Sequence, residues 1–247
     1  GIKQGSSRVD IPETGYLIER DGYYAAEPVY FMSNGGNPYT FKNPDPDGDL
    51  TDEQLDYIHT YMNEFEQVLE SDDFNDPVNG YSKYIDTDSF ARWFVFQNIL
   101  ANIDTNVYVT KDDDTAASKL FMGPVWDFEW SIGIGWYEGA RPRPADYWVW
   151  NSWYYSKLLT DSAFIERVKA IWNQYKTLIR AEITASMDRM KNTLINSQKV
   201  NFRRWDILNR RISVGGIPLG SFEAEVACDR QFFIDHMDWL DGAINSE

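Results

Sequence analysis

The chain has 247 residues, 43% of them hydrophobic and 16% aromatic, which is enough to bury a core in one large domain or two small ones. Its formal net charge of −16, from 39 Asp and Glu against 23 Lys and Arg, repels phosphate backbones and disfavours nucleic acid and anionic membranes as broad partners. No apolar run is long enough to span a bilayer, the opening GIKQGSS has no apolar signal core, and a single Cys228 excludes both an intramolecular disulfide and a cysteine-based metal site.

The first 45 residues read as β-rich. TGYLIERDG supplies a strand ending in an Asp-Gly turn, with YYAAEPVYFM as its returning hairpin partner. NGGNPYTFKNPDPDGD follows as a loop or a last short strand, and a boundary near residue 48 separates a small β part, 1–48, from a mainly helical part, 49–247. Within that loop DPDGDL resembles half of a calcium loop, but counting from Asp45 the sixth and twelfth positions are Leu50 and Asp56, not the glycine and glutamate that an EF-hand needs. Helix initiation is the better account, since Thr51 and Gln54 have capping-box spacing.

The periodicity then predicts a helix over 51–70, with Leu55, Ile58, Met62, Phe65 and Leu69 on its buried face and an acidic, solvated face opposite. A second helix starts near Asp88 and stops before ANIDTNVYVT. NVYVT, the turn KDDDTAAS and KLFMGPVWDF form a β-hairpin, with Asp112, Asp113 and Asp114 read as solvated turn residues. Beyond residue 150 the chain is helical again: one helix marked by Leu158 to Ile179, the next by Ile183 to Leu194, and a final helix over 221–244. Cys228 falls among Val226, Phe232 and Phe233, as a small buried thiol would. His59 and His236 stand alone in helical patterns, and no nucleophile–histidine arrangement can be argued from them.

Two features carry chemistry. In GPVWDFEWSIG, Asp127 and Glu129 share a side if the segment is extended, as ligands of a hard divalent cation do; the alternative is an edge strand with its acids in solvent and Val125, Trp126, Phe128 and Trp130 inward. The other feature is the order helix, Asp104 in a short loop, then a hairpin delivering Asp127 23 residues later. Phosphoryl transfer of the protein-kinase type uses that layout, one carboxylate orienting the acceptor hydroxyl and another holding Mg²⁺ against phosphate oxygens. A rival reading takes Trp148, Trp150, Trp153 and Tyr155 of DYWVWNSWYY as an aromatic platform for sugars.

GYLIE, NIDTNVYV, KLFMGPVWDFEWSIG, WYYSKLLTDSAFIERV and DRQFFIDHMDWLDGAI, in this order and spacing, resemble the spore-coat H (CotH) kinase family across almost the whole chain. The resemblance implies an α+β, atypical protein-kinase-like fold: mainly the helical C-lobe, a β-hairpin carrying the metal site and a truncated β-rich N-terminal part. It implies ATP and Mg²⁺ (or Mn²⁺) as cofactors, and transfer of phosphate to Ser or Thr of an exported, cell-surface or spore-coat protein. Other members of the family are adhesive or structural surface components, which is the alternative, and a non-catalytic kinase fold is compatible with the same residues. Carried over, Asp104 is the catalytic base and Asp127 the metal-binding aspartate that contacts the nucleotide through Mg²⁺. Glu129 stands where the family more commonly has aspartate. Asn106 is a further metal and cofactor ligand, although only two residues after Asp104, with Gln97 and Asn98 as alternatives at the preceding helix end. The early strands and the phosphate-contacting lysine that cover ATP in the family have no counterpart after Gly1, because Lys3 lacks strand context. The chain is therefore expected to be a folded fragment without turnover of its own.

Overall fold

The computed structural model describes residues 14–102, 107–128, 130–132, 153–211 and 217–246. They form an α+β fold with five strands and six α-helices: β1 (Tyr16–Arg20), β2 (Tyr30–Met32), β3 (Pro38–Asn43), α1 (Asp52–Glu70), α2 (Thr87–Leu100), β4 (Val107–Lys111), β5 (Leu120–Met122), α3 (Tyr155–Leu158), α4 (Ser162–Thr193), α5 (Ser197–Arg204) and α6 (Phe222–Ser246). No helix among the described residues is long and apolar enough to cross a membrane. The chain divides into two compact units, one of residues 1–93, 105–126 and 152–164, the other of 94–104, 127–151 and 165–247.

The first unit holds the sheet, antiparallel throughout in the order β2-β3-β1-β4-β5. The expected hairpin between the first strand and YYAAEPVYFM is not formed. Tyr24–Ala26 is a turn of 3-10 helix, and β2 pairs instead with β3 across the NGGN turn. Glycine explains the choice: Ser33 N–H reaches Asn37 O at 2.9 Å, Gly36 N–H reaches Ser33 O at 2.9 Å, and Gly36 takes φ +77°, which favours glycine. Of the two readings of 34–49, a loop or a last short strand, the strand is found: β3 lies between β1 and β2.

α1 starts where its capping box predicts. Thr51 Oγ1 accepts from Gln54 N–H, and Gln54 Oε1 accepts from Thr51 N–H at 2.9 Å. Ile58, Met62, Phe65 and Leu69 are buried as the periodicity requires, but so is Glu66, which the sequence places among solvated acids. Its carboxylate gathers the unit. Ser33 Oγ and Asn37 Nδ2 donate to Oε1 at 2.9 Å each, Gly35 N–H donates to Oε2 at 2.9 Å, and the Tyr154 hydroxyl donates to Oε1 while accepting from Tyr39 at 2.6 Å. A Cβ on Gly35 would lie 2.7 Å from Glu66 Oε2, so only glycine brings that amide so close. Aromatic rings pack around these groups, Phe65 edge-on to Tyr154 at 4.8 Å and Trp93 stacked on Tyr155 at 5.4 Å.

In the second unit α4 is one continuous helix of 32 residues, where two were expected. Arg180, Ala181 and Glu182 between the two predicted segments are good helix formers, and nothing there breaks the helix. The first turns of α4 in this unit and the second half of α6 make the core, with Val168, Ile171 and Trp172 buried on one and Phe232, Phe233, Met237, Leu240 and Ile244 on the other. Trp172 Nε1 donates to Asp241 Oδ1 at 2.8 Å. Cys228 precedes this core and is half-buried, not enclosed.

Replacing Glu66 by Ala strands four donors in the protein interior. We expect a loss of roughly 3–5 kcal/mol, read as a lowered urea midpoint with an unchanged m-value. A midpoint within error of the parent protein would show that the network contributes nothing net.

Candidate functional site

Of the four residues assigned to the site from sequence, Asp104, Asn106 and Glu129 lie outside the described residues; so do Lys3, Trp148 and Trp150. Asp127 is described, and its seat is built by the end of α2. That helix closes with Ala101 at φ +49°, the Ala101 N–H bonded to Asn98 O at 3.1 Å and the Asn102 N–H to Gln97 O at 3.2 Å. This is the 5→2 and 6→1 pairing of a Schellman terminus, with alanine where glycine is usual. Two more groups converge there. Ile132 N–H donates to Leu100 O at 2.8 Å, and His236 Nε2 of α6 bonds Asn98 O at 2.5 Å, which places a proton on Nε2 because a carbonyl only accepts. His236 is fully buried between the rings of Phe232 and Trp239, so this histidine fastens α6 to the end of α2.

Asp127 is tied to the same terminus, since Asn102 Nδ2 donates to its backbone carbonyl at 3.3 Å and Phe128 meets Phe96 edge-on at 5.6 Å. Asp127 takes φ +60° and Ile132 φ +51°, the left-handed region that costs a non-glycine residue about 1–3 kcal/mol. The extended segment expected here is therefore interrupted within the described residues: β5 ends at Met122, and Asp127 is left-handed instead of extended. The edge-strand alternative fails as well, because Val125 and Trp126 are exposed, Trp126 at 59%.

Asp127 is half-buried, and its carboxylate makes no hydrogen bond among the described residues. Oxygen donors of this kind suit a hard cation. Among the described residues, however, no three of His, Cys, Asp and Glu are gathered as a metal-holding group. Of the two alternatives at the helix end, Asn98 is committed to packing, its Nδ2 bonded to Phe94 O at 2.9 Å. Gln97 is different: its side chain is fully buried, and neither amide atom has a hydrogen-bond partner among the described residues. An amide left so is costly and fits a site completed by a bound polar group. The sugar platform loses one member, since Tyr155 is fully buried, stacked on Trp93 and bonded through its hydroxyl to Phe90 O at 2.8 Å.

A second charged cluster, in the first unit, was not legible as such. Strand alternation puts Lys111 on the buried face of β4 beside Val107 and Val109. Its ammonium lies over the rings of Tyr57 and Tyr61, at 5.4 and 4.8 Å from their centroids, and donates to the carbonyls of Asp113 and Thr115. Of the three turn aspartates, Asp112 is exposed, but the carboxylate oxygens of Asp114 are buried near the Tyr16 hydroxyl, which corrects the reading of all three as solvated. Burial raises Asp114 to about 6 and lowers Lys111 to about 8, the latter against the opposing pull of Asp114, Asp113 and Asp112. The pattern V-x-V-x-K in VYVTK was the available signal.

Lys111 makes a signed prediction. Above pH 8 the folded protein gives up this proton before the unfolded chain, whose lysine titrates at about 10.5, so unfolding takes up a proton and stability rises with pH. Below pH 8 the lysine is charged in both states and the full cost of burying it is present. Melting curves between about pH 8 and 9.5, below the range where tyrosines ionise in the unfolded chain, should show this rise, and Lys111→Met should flatten it. Parallel curves for the two proteins would exclude a depressed Lys111.

No curated protein matches the chain. The sequence does match the family described as CotH kinase protein, over residues 4–240. That span takes in the sheet, the terminus of α2 that seats Asp127 and most of α6, and on it the chain belongs to the CotH kinase family.

Proposed function

We propose that in the protein at its natural length this chain carries the site of Mg²⁺- and ATP-dependent phosphoryl transfer to a serine or threonine hydroxyl of an exported or surface protein. In this reading its α+β fold is of the atypical protein-kinase type, with 1–48 belonging to the β-rich lobe and 49–247 to the kinase-like C-lobe. Family membership supports it, and the observation that carries it is the seat of Asp127: a half-buried, uncommitted carboxylate held in a strained left-handed conformation by the capped end of α2. Strain of this kind is retained where surrounding contacts fix a functional geometry.

Each residue then has one task. Asp127 would hold the metal, with Glu129 and Asn106 as further oxygen ligands. The metal supplies positive charge against the phosphate oxygens. Asp104 accepts the proton of the acceptor hydroxyl as it attacks, and the aspartate must be ionised to do so. Catalysis of this type is mostly positioning and charge stabilisation, so a few carboxylates and amides suffice on a rigid seat.

Two measurements test the proposal. Calorimetry with Mg²⁺ or Mn²⁺ should give binding heat, and roughly millimolar metal should raise the melting temperature through binding to the folded state. Both effects should disappear in Asp127→Ala; equal heats in the two proteins would remove the metal assignment. In the protein at its natural length, Asp104→Asn should lower transfer of radiolabelled phosphate by at least about 100-fold with the fold intact, because the amide keeps the shape but cannot take the proton. Undiminished transfer would show that Asp104 is not the base. Absence of transfer in both proteins, with metal binding retained, would favour the non-catalytic surface role.

A further inference from the structure

The second unit carries an arm without a core. Between Trp172 and Phe232 no described residue is buried, although the stretch includes the greater part of α4, all of α5 and the start of α6. The ion pairs along it, Lys176 to Asp241, Arg180 to Asp238, Arg189 to Glu182 and Arg230 to Asp188, join exposed or half-exposed side chains, and such pairs contribute little. An eight-residue helix such as α5 is not stable by itself in water and normally owes its place to a buried face, which α5 lacks. Instead large apolar side chains stand in solvent: Met190 at 56% exposure, Val200 at 67% and Trp205 at 55%.

The charge of this arm is opposite to that of the chain. Between 189 and 211 there are seven Lys and Arg and one acid, in a protein of net charge −16. Lys199 and Arg203 on α5 make no ion pair among the described residues, and the Arg204 guanidinium lies over the Trp205 ring at 5.2 Å. Exposed arginine and tryptophan next to aliphatic side chains is the composition of interface anchors, not of an ordinary solvated face.

The same chain holds a counterpart. Residues 45–76 contain twelve Asp and Glu and no Lys or Arg. Glu70, Asp72 and Asp73 are exposed where α1 ends, and no basic residue stands in the last turn of that helix. A helix C-terminus is itself the negative end of the helix dipole, so acids there are unfavourable until a cation approaches. Exposed Val78 lies close by in sequence and offers apolar surface.

We propose that the basic arm is a self-association surface, and that Lys199, Arg203, Arg204 and Trp205 of one copy dock on the acidic end of α1, at Glu70, Asp72 and Asp73, of a second copy. Two copies can make this contact reciprocally about a two-fold axis, or each can leave one patch of each kind free, so that association continues into a ring or an open chain. This holds whether or not the chain transfers phosphate.

Sedimentation velocity of the 247-residue chain over a range of concentrations is the test. At roughly 0.05 M salt the mass should exceed the monomer and climb with concentration, and at roughly 0.5 M it should return to the monomer as screening shortens. Lys199→Glu/Arg203→Glu/Arg204→Glu should weaken association by about tenfold or more, as should Glu70→Lys/Asp72→Lys/Asp73→Lys. All six side chains lie outside the core, and an unchanged circular dichroism melt checks that each variant folds. A mixture of the two variants should associate again, because the reversed arm of one complements the reversed helix end of the other. A monomer at every concentration and salt would overturn the proposal, as would association that survives reversal of the arm or a mixture that stays monomeric. Binding of the arm to phosphatidylserine vesicles with no self-association would also overturn it, in favour of a lipid surface.

Discussion

The first unit depends on one buried carboxylate. Glu66 sits on the core face of α1 and accepts from a side chain, a backbone amide and another side chain of the turn joining β2 to β3, and from a tyrosine 88 residues further along. Burying an ionised group without partners costs far more than the fold's margin of stability, so the turn, the helix and Tyr154 can only be placed together. Shape follows from that requirement. Gly35 must lack a side chain, Ser33 and Asn37 must point at α1, and Tyr39 supplies the Tyr154 oxygen with its own hydrogen bond. Hydrophobic burial of Phe65, Phe31 and Tyr39 makes the unit compact, while the polar hub selects one arrangement of the aromatic groups around it.

In the second unit the corresponding constraint is the open end of α2. Every helix leaves its last carbonyls without helical partners, and here each of three finds one: Gln97 O in Asn102, Asn98 O in Ala101 and His236, Leu100 O in Ile132. Three left-handed residues, Ala101, Asp127 and Ile132, fall within these contacts. None is glycine, so the chain does not adopt the conformation freely and the surrounding bonds hold it. A segment fixed in this way holds the backbone of Asp127 in one conformation. A histidine that sequence leaves without a partner is part of the same fastening.

Lys111 shows two local rules in conflict. Strand alternation sends position 111 inward, and the charge of lysine favours outward; pairing of β1 with β4, which sets Tyr16 opposite Lys111, resolves it in favour of burial. The ammonium then takes its hydration from elsewhere, from two carbonyls of its own turn and two tyrosine faces. Asp114 is drawn in with it. The result, at a hairpin tip where sequence alone suggests three solvated acids, is a lysine lowered and an aspartate raised by burial.

What the sequence determined by itself is what a few neighbouring residues decide. The capping box at Thr51, the 3.6-residue spacing of Ile58, Met62, Phe65 and Leu69, the start of α2 near Asp88 and the hairpin around KDDDTAAS all depend on contacts within one or two turns, and all are found. The family resemblance belongs here too, because it rests on side chains in order along the chain. Tertiary structure decided the rest. Whether β1 pairs with YYAAEPVYFM or with PYTFKN is a choice between distant partners of similar pattern, settled by the glycine turn and by Glu66 beneath it. Burial of Glu66 and Tyr155 could not be read, because a polar atom enters a core only when donors or acceptors meet it there, and those partners lie as far as 88 residues away in the Tyr154–Glu66 bond. The bend at Asp127 has the same origin: its residues favour an extended strand, and only Asn102 and Ile132, reaching to and from the end of α2, make the left-handed turn the lower-energy path.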